Sequence, residues 1–501
     1  MKKKYQSYYT NSSHIVEYMM SRLKITAGSK VLEPCAGTGI FIDAILETEN
    51  TVQIDAYDIN PSEIKKLRNK YNDNNQVQIF HADTLLDQDL ILKMNMGGYY
   101  DFVISNPPYG AWQEYQKRKI LKSLYPGLYV KETYGLFLYQ SIMLLKSGGR
   151  LVFIIPDTYL NLNMHKPLRN NLLKQACIEE IALFPSRFFP GISFGYSKLS
   201  IITLHRPIDY EHIHDNNIKI KWGFESVDQL VSQPDTINCM SIKQGDLLNT
   251  SDHALLITEK PRYSSIVMDA TQRVGDVASC VTGIYSGNDK AYLRVLSQDI
   301  RNGSKYEPIS LDKVYRGDIP PMDGITEPEC FIPIVKGGGV RFIKPDLWFI
   351  DWSTKAVTHY KSDKKSRFQN TQFYFNTGIA IPMVSSSNVT ATLLEKRIFD
   401  QSIVGVFPYD KKYLYYLLGF FNTSICTKLL RIINPTANNS ANYIKKLPFI
   451  HPSKKELQII NNLVQRIIDY VRSTGGYREE DIKNLNDIYN NIYFRDDVKI
   501  M

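Results

Sequence analysis

Cysteine is scarce in this 501-residue chain and is never paired along it. Cys35, Cys177, Cys239, Cys280, Cys330 and Cys426 are scattered, with no Cys-x-x-Cys. That spacing argues against a zinc ribbon or a disulfide framework and fits a reducing compartment. Long apolar runs are missing too. No stretch approaches the ~18 uninterrupted apolar residues of a membrane span. The basic start, Met1 to Lys4, leads into polar residues rather than the apolar segment of a signal peptide. A soluble, cytoplasmic protein with no membrane partner is expected. No internal repeat or long low-complexity segment is visible.

Ordinary globular material is plentiful. Hydrophobic residues make up 43% and charged residues 22%, which is ample for real cores. The length suits two or three domains. The formal charge of +9 favours a polyanionic partner, because phosphates attract a basic surface before any specific contact forms. Many soluble proteins carry a similar excess without one.

Over residues 1–207 short apolar runs alternate with helical patterns. The runs are Lys30–Leu32, Ile54–Tyr57, Val77–Phe80, Phe102–Ile104 and Leu151–Ile155, with helical spacing at Ile40–Leu46 and Ile64–Tyr71. Ile178–Leu183 and Leu199–Leu204 read as two further strands. This alternation predicts a mostly parallel α/β sheet with helices on both faces. After Pro207 the chain becomes rich in Asn, Ser, Asp and turn dipeptides, including Ser286-Gly287-Asn288-Asp289 and Gly337-Gly338-Gly339. An irregular α+β domain over 208–450 is expected there. Basic and aromatic residues lie among its loops: Lys336, Arg341, Phe342, Trp352, Arg367, Phe373 and Tyr374. Over 451–501, Leu457, Ile460, Leu463, Ile467 and Val471 recur at helical spacing.

The sharpest motif is Ser105-Asn106-Pro107-Pro108-Tyr109, directly after Phe102-Val103-Ile104. Ligands of open α/β sheets bind beyond the carboxyl ends of strands, where this tetrad stands. Asn106 offers a carbonyl that can accept an amine hydrogen, the prolines supply rigid backbone and a further carbonyl, and Tyr109 offers an aromatic face. An amine conjugated to an aromatic ring is a poor nucleophile because its lone pair is delocalised. Two acceptors on its hydrogens favour tetrahedral nitrogen and restore the lone pair, without any strong base. On its own, Asn-Pro is equally a turn before a helix.

The upstream motif shifts that balance. Val31-Leu32-Glu33-Pro34-Cys35-Ala36-Gly37-Thr38-Gly39 follows the first strand and opens a helix. Gly37 and Gly39 would let the backbone approach a ligand. Ile42 stands where a dinucleotide fingerprint needs its third glycine. A shortened loop suits S-adenosylmethionine (SAM), which has no pyrophosphate. Asp58 ends the second strand, where a carboxylate can accept both ribose hydroxyls. Asp83 ends the third and could accept from the adenine amine.

Glu33-Pro34-Cys35-Ala36-Gly37-Thr38-Gly39 followed by Asn106-Pro107-Pro108-Tyr109 closely resembles the Taq-type (gamma-class) adenine-N6 DNA methyltransferases. Tyr8-Tyr9-Thr10 is similar to the family's N-terminal cofactor motif, whose threonine contacts the methionine moiety, although Asn11 replaces the usual proline. Phe188-Phe189-Pro190, ahead of the strand Ser197–Leu204, resembles the motif whose aromatic packs on the flipped base. Phe189 is preferred for that role, with Phe194 as the alternative. Ile334-Val335-Lys336-Gly337-Gly338-Gly339-Val340-Arg341, and Asn434-Pro435-Thr436 with Lys446-Leu447-Pro448, resemble specificity domains of Eco57-like and phage-exclusion methyltransferases.

The resemblance implies a class I SAM-dependent methyltransferase domain (Rossmann-like, 1–207), a target-recognition domain (208–450) and C-terminal helices (451–501). It implies methyl transfer from SAM to the N6 amine of an adenine flipped out of duplex DNA, in restriction-modification or phage defence. Asn106, Pro107, Pro108 and Tyr109 would be catalytic, and Tyr109 and Phe189 would stack on the base. Thr10, Glu33, Cys35, Ala36, Gly37, Gly39, Asp58, Ile59, Asp83 and Asn106 would surround the cofactor. No metal is implied. Lys336, Arg341 and Arg367 are the candidates for phosphate contact. A monomer is expected, and a separate cognate restriction endonuclease is a conceivable partner.

Three rivals are weighed against this reading. Release-factor glutamine methyltransferases carry the same tetrad, and some ribosomal RNA guanine methyltransferases a close relative. Both resemble compact chains without the long loop-rich continuation seen here. A non-catalytic DNA specificity subunit would need neither the tetrad nor the glycine loop. A fused nuclease is not expected, since few residues precede the first strand and the catalytic half shows no convincing Pro-Asp…Glu-x-Lys cluster.

Overall fold

Val31, Leu32, Ile54, Ala56, Val103 and Ile104 have no exposed surface, because the strands that carry them are covered on both faces. The computed structural model describes residues 10, 12–109, 113–189, 198–250, 252–255, 261–385, 388–434 and 436–495. Their contacts divide the chain into two units, Met1–Leu256 and Ile257–Met501.

The first unit runs α1 (Ser13–Leu23), β1 (Lys30–Glu33), α2 (Ile40–Thr48), β2 (Gln53–Asp58), α3 (Pro61–Lys70), β3 (Val77–His81), α4 (Gln88–Asn95) and β4 (Tyr100–Ser105). It continues with α5 (Tyr115–Leu124), α6 (Tyr134–Leu144), β5 (Leu145–Pro156), α7 (Lys166–Gln175), β6 (Cys177–Pro185), β7 (Lys198–His205), β8 (Asn217–Trp222) and β9 (Asn238–Lys243). The sheet order is β3-β2-β1-β4-β5-β7-β6-β8-β9. The first five strands are parallel, while β7 runs against β5 and β6. The alternating α/β pattern read from the sequence is therefore present, with each expected strand in its place. Strand order reverses between β1 and β4, so their carboxyl ends flank the crevice where such sheets bind ligands.

The break expected after Pro207 does not occur there. Ile218 and Ile220 are fully buried and Trp222 nearly so, and this alternation lets β8 pair with β6 and carry β9. The polar residues between them disguise a period-two strand. The first unit therefore extends about fifty residues beyond the expected boundary.

Helix α1 precedes the sheet but is tied to its far half. Its N-cap Ser12 accepts from the Ile15 N–H. The Tyr18 hydroxyl and the Arg22 Nε both donate to Glu180 Oε1 of β6, at 2.5 and 2.8 Å. Lys221 of β8 lies 2.8 Å from Glu180 Oε2. Burial acts to raise the Glu180 pKa, but hydrogen bonds from Lys221 and Tyr18 and the neighbouring positive charges outweigh it and hold it below the usual range.

In the second unit, a four-stranded sheet and a five-stranded sheet enclose an aromatic core. Trp352 is fully buried and its Nε1 donates to the Pro321 carbonyl at 2.8 Å. The rings of Tyr360, Phe368, Tyr374 and Phe375 lie 5.7–6.3 Å from it. The helices expected beyond Pro452 form at Lys454–Thr474 and Glu479–Tyr493, the first with a Ser453–Glu456 capping box. They are no separate segment. They pack on two helices that periodicity did not reveal, Leu414–Phe421 and Ser424–Ile433. Leu414–Phe421 is apolar nearly all round, which hides its period.

One contact joins the two strands beside the crevice. Ser105 at the end of β4 donates from Oγ to Glu33 Oε1 at the end of β1, over 2.9 Å, and both residues are buried. Burial pushes the Glu33 carboxyl well above the usual carboxylate range, against the hydrogen bonds from Ser105 and the Cys35 backbone. A folded-state pKa above the unfolded one gives stability that is complete below the unfolded value and is lost as pH rises through the folded value. Glu33→Gln keeps an acceptor for Ser105 and cannot ionise. Its melting temperature relative to the parent should therefore climb between about pH 5 and about pH 8. A difference that stays level over that span in paired thermal melts would contradict the raised pKa.

Candidate active site

The loop after β1 turns back on itself through two left-handed glycines, Gly37 at φ +52° and Gly39 at φ +83°. Gly39 has a packing role. A Cβ there would lie 2.8 Å from both Leu67 Cδ2 and the Tyr71 hydroxyl, so this glycine admits helix α3 and its following residue. Gly39 also caps α2 without a side chain, and the N–H groups of a helix's first turn carry partial positive charge. The Ala36 N–H donates to the Tyr57 carbonyl at 2.8 Å, and the Thr84 hydroxyl to the Pro34 carbonyl at 2.7 Å. Burial, with Asp58 and Glu33 nearby, pushes the Cys35 thiol well up and so disfavours its thiolate.

Asp58 ends β2 beside this loop. Its Oδ2 accepts from the Gly37 N–H at 2.8 Å and its Oδ1 from the Asn60 N–H at 2.7 Å. Burial lifts its pKa above the usual carboxylate range despite those bonds. Each oxygen retains a second lone pair for a ligand hydroxyl. The next side chain, Ile59, is 46% exposed and offers apolar surface at the same strand end. Asp83 follows β3, but its Oδ2 meets Lys117 Nζ of α5 at 2.5 Å. The acceptor expected to face an adenine amine is therefore already shared with a lysine that sequence reasoning did not single out.

The tetrad follows β4. Asn106 Nδ2 donates to Thr10 Oγ1 at 3.1 Å, so Thr10 and Asn106 meet across 96 positions of chain. With its NH₂ turned to Thr10, the carboxamide presents its carbonyl in the opposite sense. The Thr133 hydroxyl donates to the Pro108 carbonyl at 3.0 Å, which fixes the second half of the tetrad. Thr133 immediately precedes α6, a position at which a side-chain hydroxyl commonly caps the helix. Here it makes no cap bond.

The aromatic candidates are placed differently from expectation. Tyr109 is fully buried and Phe189 is 3% exposed, so neither ring presents an open face. A base could stack on them only after covering side chains part. Tyr8, Tyr9, Asn11, Pro190, Phe194 and Pro435 lie outside the described residues.

Lys336 is removed from the phosphate-contact set. Its Nζ lies 2.8 Å from Asp400 and 3.1 Å from Asp289, which neutralise it within the fold. The glycine run beside it is architectural. Lys344 donates to the Lys336 and Gly337 carbonyls, and a Cβ on Gly338 would strike Pro382 at 2.8 Å. Burial, with Arg397 nearby, lowers Lys344 to about 8. Asn434 is buried and braces its own loop through Asn438 and Thr436, while the Lys446 carbonyl accepts from Arg273. Phe342, Trp352 and Tyr374 are core residues, and Phe373 stacks on Phe407. Arg367 is exposed and Arg341 partly so, the latter with its guanidinium 5.7 Å from the Tyr477 ring centre.

A family model, the Eco57I restriction-modification methylase, matches residues 2–189. The type II methyltransferase M.HindII of Haemophilus influenzae is 25% identical over 299 residues, covering 56% of this chain and 54% of that protein. M.TthHB8I of Thermus thermophilus, also a type II methyltransferase, is 31% identical over 206 residues, covering 37% and 43%. The chain spans about half the length of these relatives. Among solved structures, the DrdV–DNA complex gives a TM-score of 0.55 at 11% identity, over 92% of this chain and 57% of the other. The type IIL restriction-modification enzyme MmeI, in complex with DNA, gives 0.53 at 12% identity, over 96% and 72%. At such identities the likeness is one of fold. The stretch matched by the family model, residues 2–189, holds both the glycine loop after β1 and the tetrad after β4.

Proposed function

We propose that this chain is a DNA methyltransferase of restriction-modification type that transfers a methyl group from S-adenosylmethionine to the N6 amine of an adenine extruded from duplex DNA. The observation that carries the reading is that β1 and β4, which lead into Gly37–Gly39 and Asn106–Tyr109, end side by side at the crevice and are joined there by the Ser105–Glu33 hydrogen bond, with the Asn106 amide group bonded to Thr10. The type II methyltransferase relatives and the DNA-bound structural relatives support it.

The residues present suit that cofactor. Glu33 Oε2 is buried at the strand tip with no hydrogen-bond partner among the described residues, which leaves it open to a polar group of a ligand. Asp58 has lone pairs for ribose hydroxyls, and Ile59 has apolar surface for a purine. Thr10, Cys35, Ala36 and Asp83 complete the set assigned to the cofactor. When bound, SAM supplies an electrophilic methyl group on a positively charged sulfur, which keeps the electron pair of the broken bond. The amine nitrogen of adenine gives the electron pair of the new N–C bond, and one amine proton leaves to water. Asn106 Oδ1 and the Pro107 carbonyl accept from the amine and favour tetrahedral nitrogen, acting most strongly where charge develops.

A paired, stacked adenine cannot reach these acceptors inside a duplex, so base extrusion belongs to the reading. Tyr109 and Phe189 would flank the extruded base. The unit over 257–501 would choose the target, with Arg341 and Arg367 on phosphates. A separate endonuclease partner and a monomeric state are part of the same reading.

Asn106→Ala should lower methyl transfer about 100-fold or more, as loss of a placed dipole does elsewhere, while binding of SAM and DNA stays near the parent level. Substantial turnover in a tritium-transfer assay would rule out the acceptor role. Asp58→Ala should weaken SAM binding about tenfold or more, since charge-assisted hydrogen bonds are lost. Titration calorimetry showing unchanged affinity would end the ribose assignment. Modified-base sequencing of DNA from an expressing host would supply the target site. With 2-aminopurine at the target adenine, fluorescence should rise on binding the parent protein and rise less with Phe189→Ala, because stacking is worth ~1–3 kcal/mol per base. An equal rise per folded molecule would leave Phe189 as a core residue alone.

A further inference from the structure

A peptide unit is planar, so a carbonyl oxygen and the Cα that follows it move as one rigid body. In Asn106-Pro107-Pro108-Tyr109 the prolines already limit most of the backbone. Each ring fixes its own φ and restricts ψ of the residue before it. Those restraints cover ψ of Asn106, φ and ψ of Pro107, and φ of Pro108. Because Tyr109 rather than a third proline comes next, ψ of Pro108 is the first torsion beyond them that no ring limits. This torsion turns the plane that holds the Pro108 carbonyl and the Tyr109 Cα. It therefore decides where the Tyr109 ring is rooted relative to the Pro107 carbonyl.

Thr133 holds that plane. Its Oγ1 lies 3.0 Å from the Pro108 carbonyl oxygen, and since a carbonyl only accepts, the hydroxyl is the donor. Thr133 is buried and stands at the head of α6, most of whose residues are buried too. The next residue is anchored as well. The Tyr134 hydroxyl lies 2.7 Å from Thr158 Oγ1 and 2.8 Å from His165 Nε2, and Thr158 lies just past the end of β5. A threonine in the place of Thr133 usually stabilises its own helix by capping it. Here the cap bond is not made, and the hydroxyl is turned to the tetrad instead.

Resting on the adenine-N6 reading above, we propose that Thr133 is a positioning residue that locks ψ of Pro108 and so fixes the Tyr109 ring relative to the acceptor on Pro107. It acts through the Pro108–Tyr109 peptide, so its effect belongs to turnover and not to cofactor affinity. Thr133→Val keeps the shape and loses the donor, whereas Thr133→Ser keeps the donor.

The test uses the full chain with both variants. At saturating SAM and target duplex, Thr133→Val should slow a single turnover of methyl transfer about tenfold, on the scale of one lost hydrogen bond. Thr133→Ser should stay within about twofold of the parent rate, and SAM affinity by calorimetry should hold within about twofold in both. Thr133→Ala opens space where valine could crowd it, and should repeat the valine result. A second measurement needs no activity. Proline labelled with ¹³C at its carbonyl, together with ¹⁵N-labelled tyrosine, marks two peptides, Pro108–Tyr109 and Pro408–Tyr409. Tyr409→Phe identifies the second by its absence. The Pro108–Tyr109 signal should move in Thr133→Val and stay in Thr133→Ser. Unchanged turnover in the valine and alanine variants despite a moved signal would overturn the proposal and leave Thr133 a packing residue. An unmoved signal, equal loss in the valine and serine variants, or weakened SAM binding with unchanged turnover would overturn it as well. A moved signal in the valine variant of a protein whose parent methylates no DNA would refute the adenine-N6 reading and leave the Thr133 clamp standing.

Discussion

The hydrogen bond from Ser105 to Glu33 links the ends of β1 and β4, and the candidate site depends on it. Strand order reverses between these two strands, so the loops that leave them diverge and open a crevice. A crevice of that kind needs its rims held in register, because a displacement of ~1 Å is enough to spoil a reacting geometry. Backbone pairing between β1 and β4 covers only Val31–Phe102 and Leu32–Val103. Beyond that the side chains must take over, and Ser105 with Glu33 is the pair that does so. The burial that makes this bond useful also raises the Glu33 pKa, so local rigidity is bought with a group that resists ionisation.

Further supports reach the same rim from distant parts of the chain. Thr84 bonds the Pro34 carbonyl, Lys117 bonds Asp83, Thr133 bonds the Pro108 carbonyl and Thr10 bonds Asn106. Each joins a loop at one strand end to a helix or loop beside another. Loops that carry chemistry are ordinarily the mobile parts of a fold. Here short polar side chains tie them together, and the threonines have few rotamers to lose when they are ordered. Helix α1 extends this scheme to the other half of the sheet, since Glu180 gathers Tyr18, Arg22 and Lys221.

Much of the first unit could be read from the sequence because its signals are local. An apolar run followed by glycines or an acidic residue marks a parallel strand and its carboxyl end, and β1 to β3 obey this, while β4 runs into Asn106-Pro107. Segments whose apolar face was interleaved with polar residues escaped, as with Ile218, Ile220 and Trp222. So did Leu414–Phe421, where apolar residues surround the whole helix and no stripe remains. Long-range pairs were not readable at all. Nothing near Thr133 announces the Pro108 carbonyl, and nothing near Thr10 announces Asn106. Gly39 carries a packing role that its motif did not announce. Its missing Cβ makes room for Leu67 and Tyr71.

The second unit shows how far charge alone can mislead. Lys336 and Arg367 look alike in the sequence, each a basic residue in a loop-rich segment. Lys336 is held by Asp289 and Asp400, and an ammonium already neutralised by two carboxylates has little left to offer a phosphate. Displacing it would leave those carboxylates unpaired, one of them on the almost wholly buried Asp400, and breaking a buried pair in that way is strongly destabilising. Arg367 is exposed, and its guanidinium can meet a phosphate oxygen without dismantling the fold. The distinction rests on which acids a basic side chain meets first. A net charge of +9 therefore understates the difference between residues that build the protein and residues that can reach a polyanion.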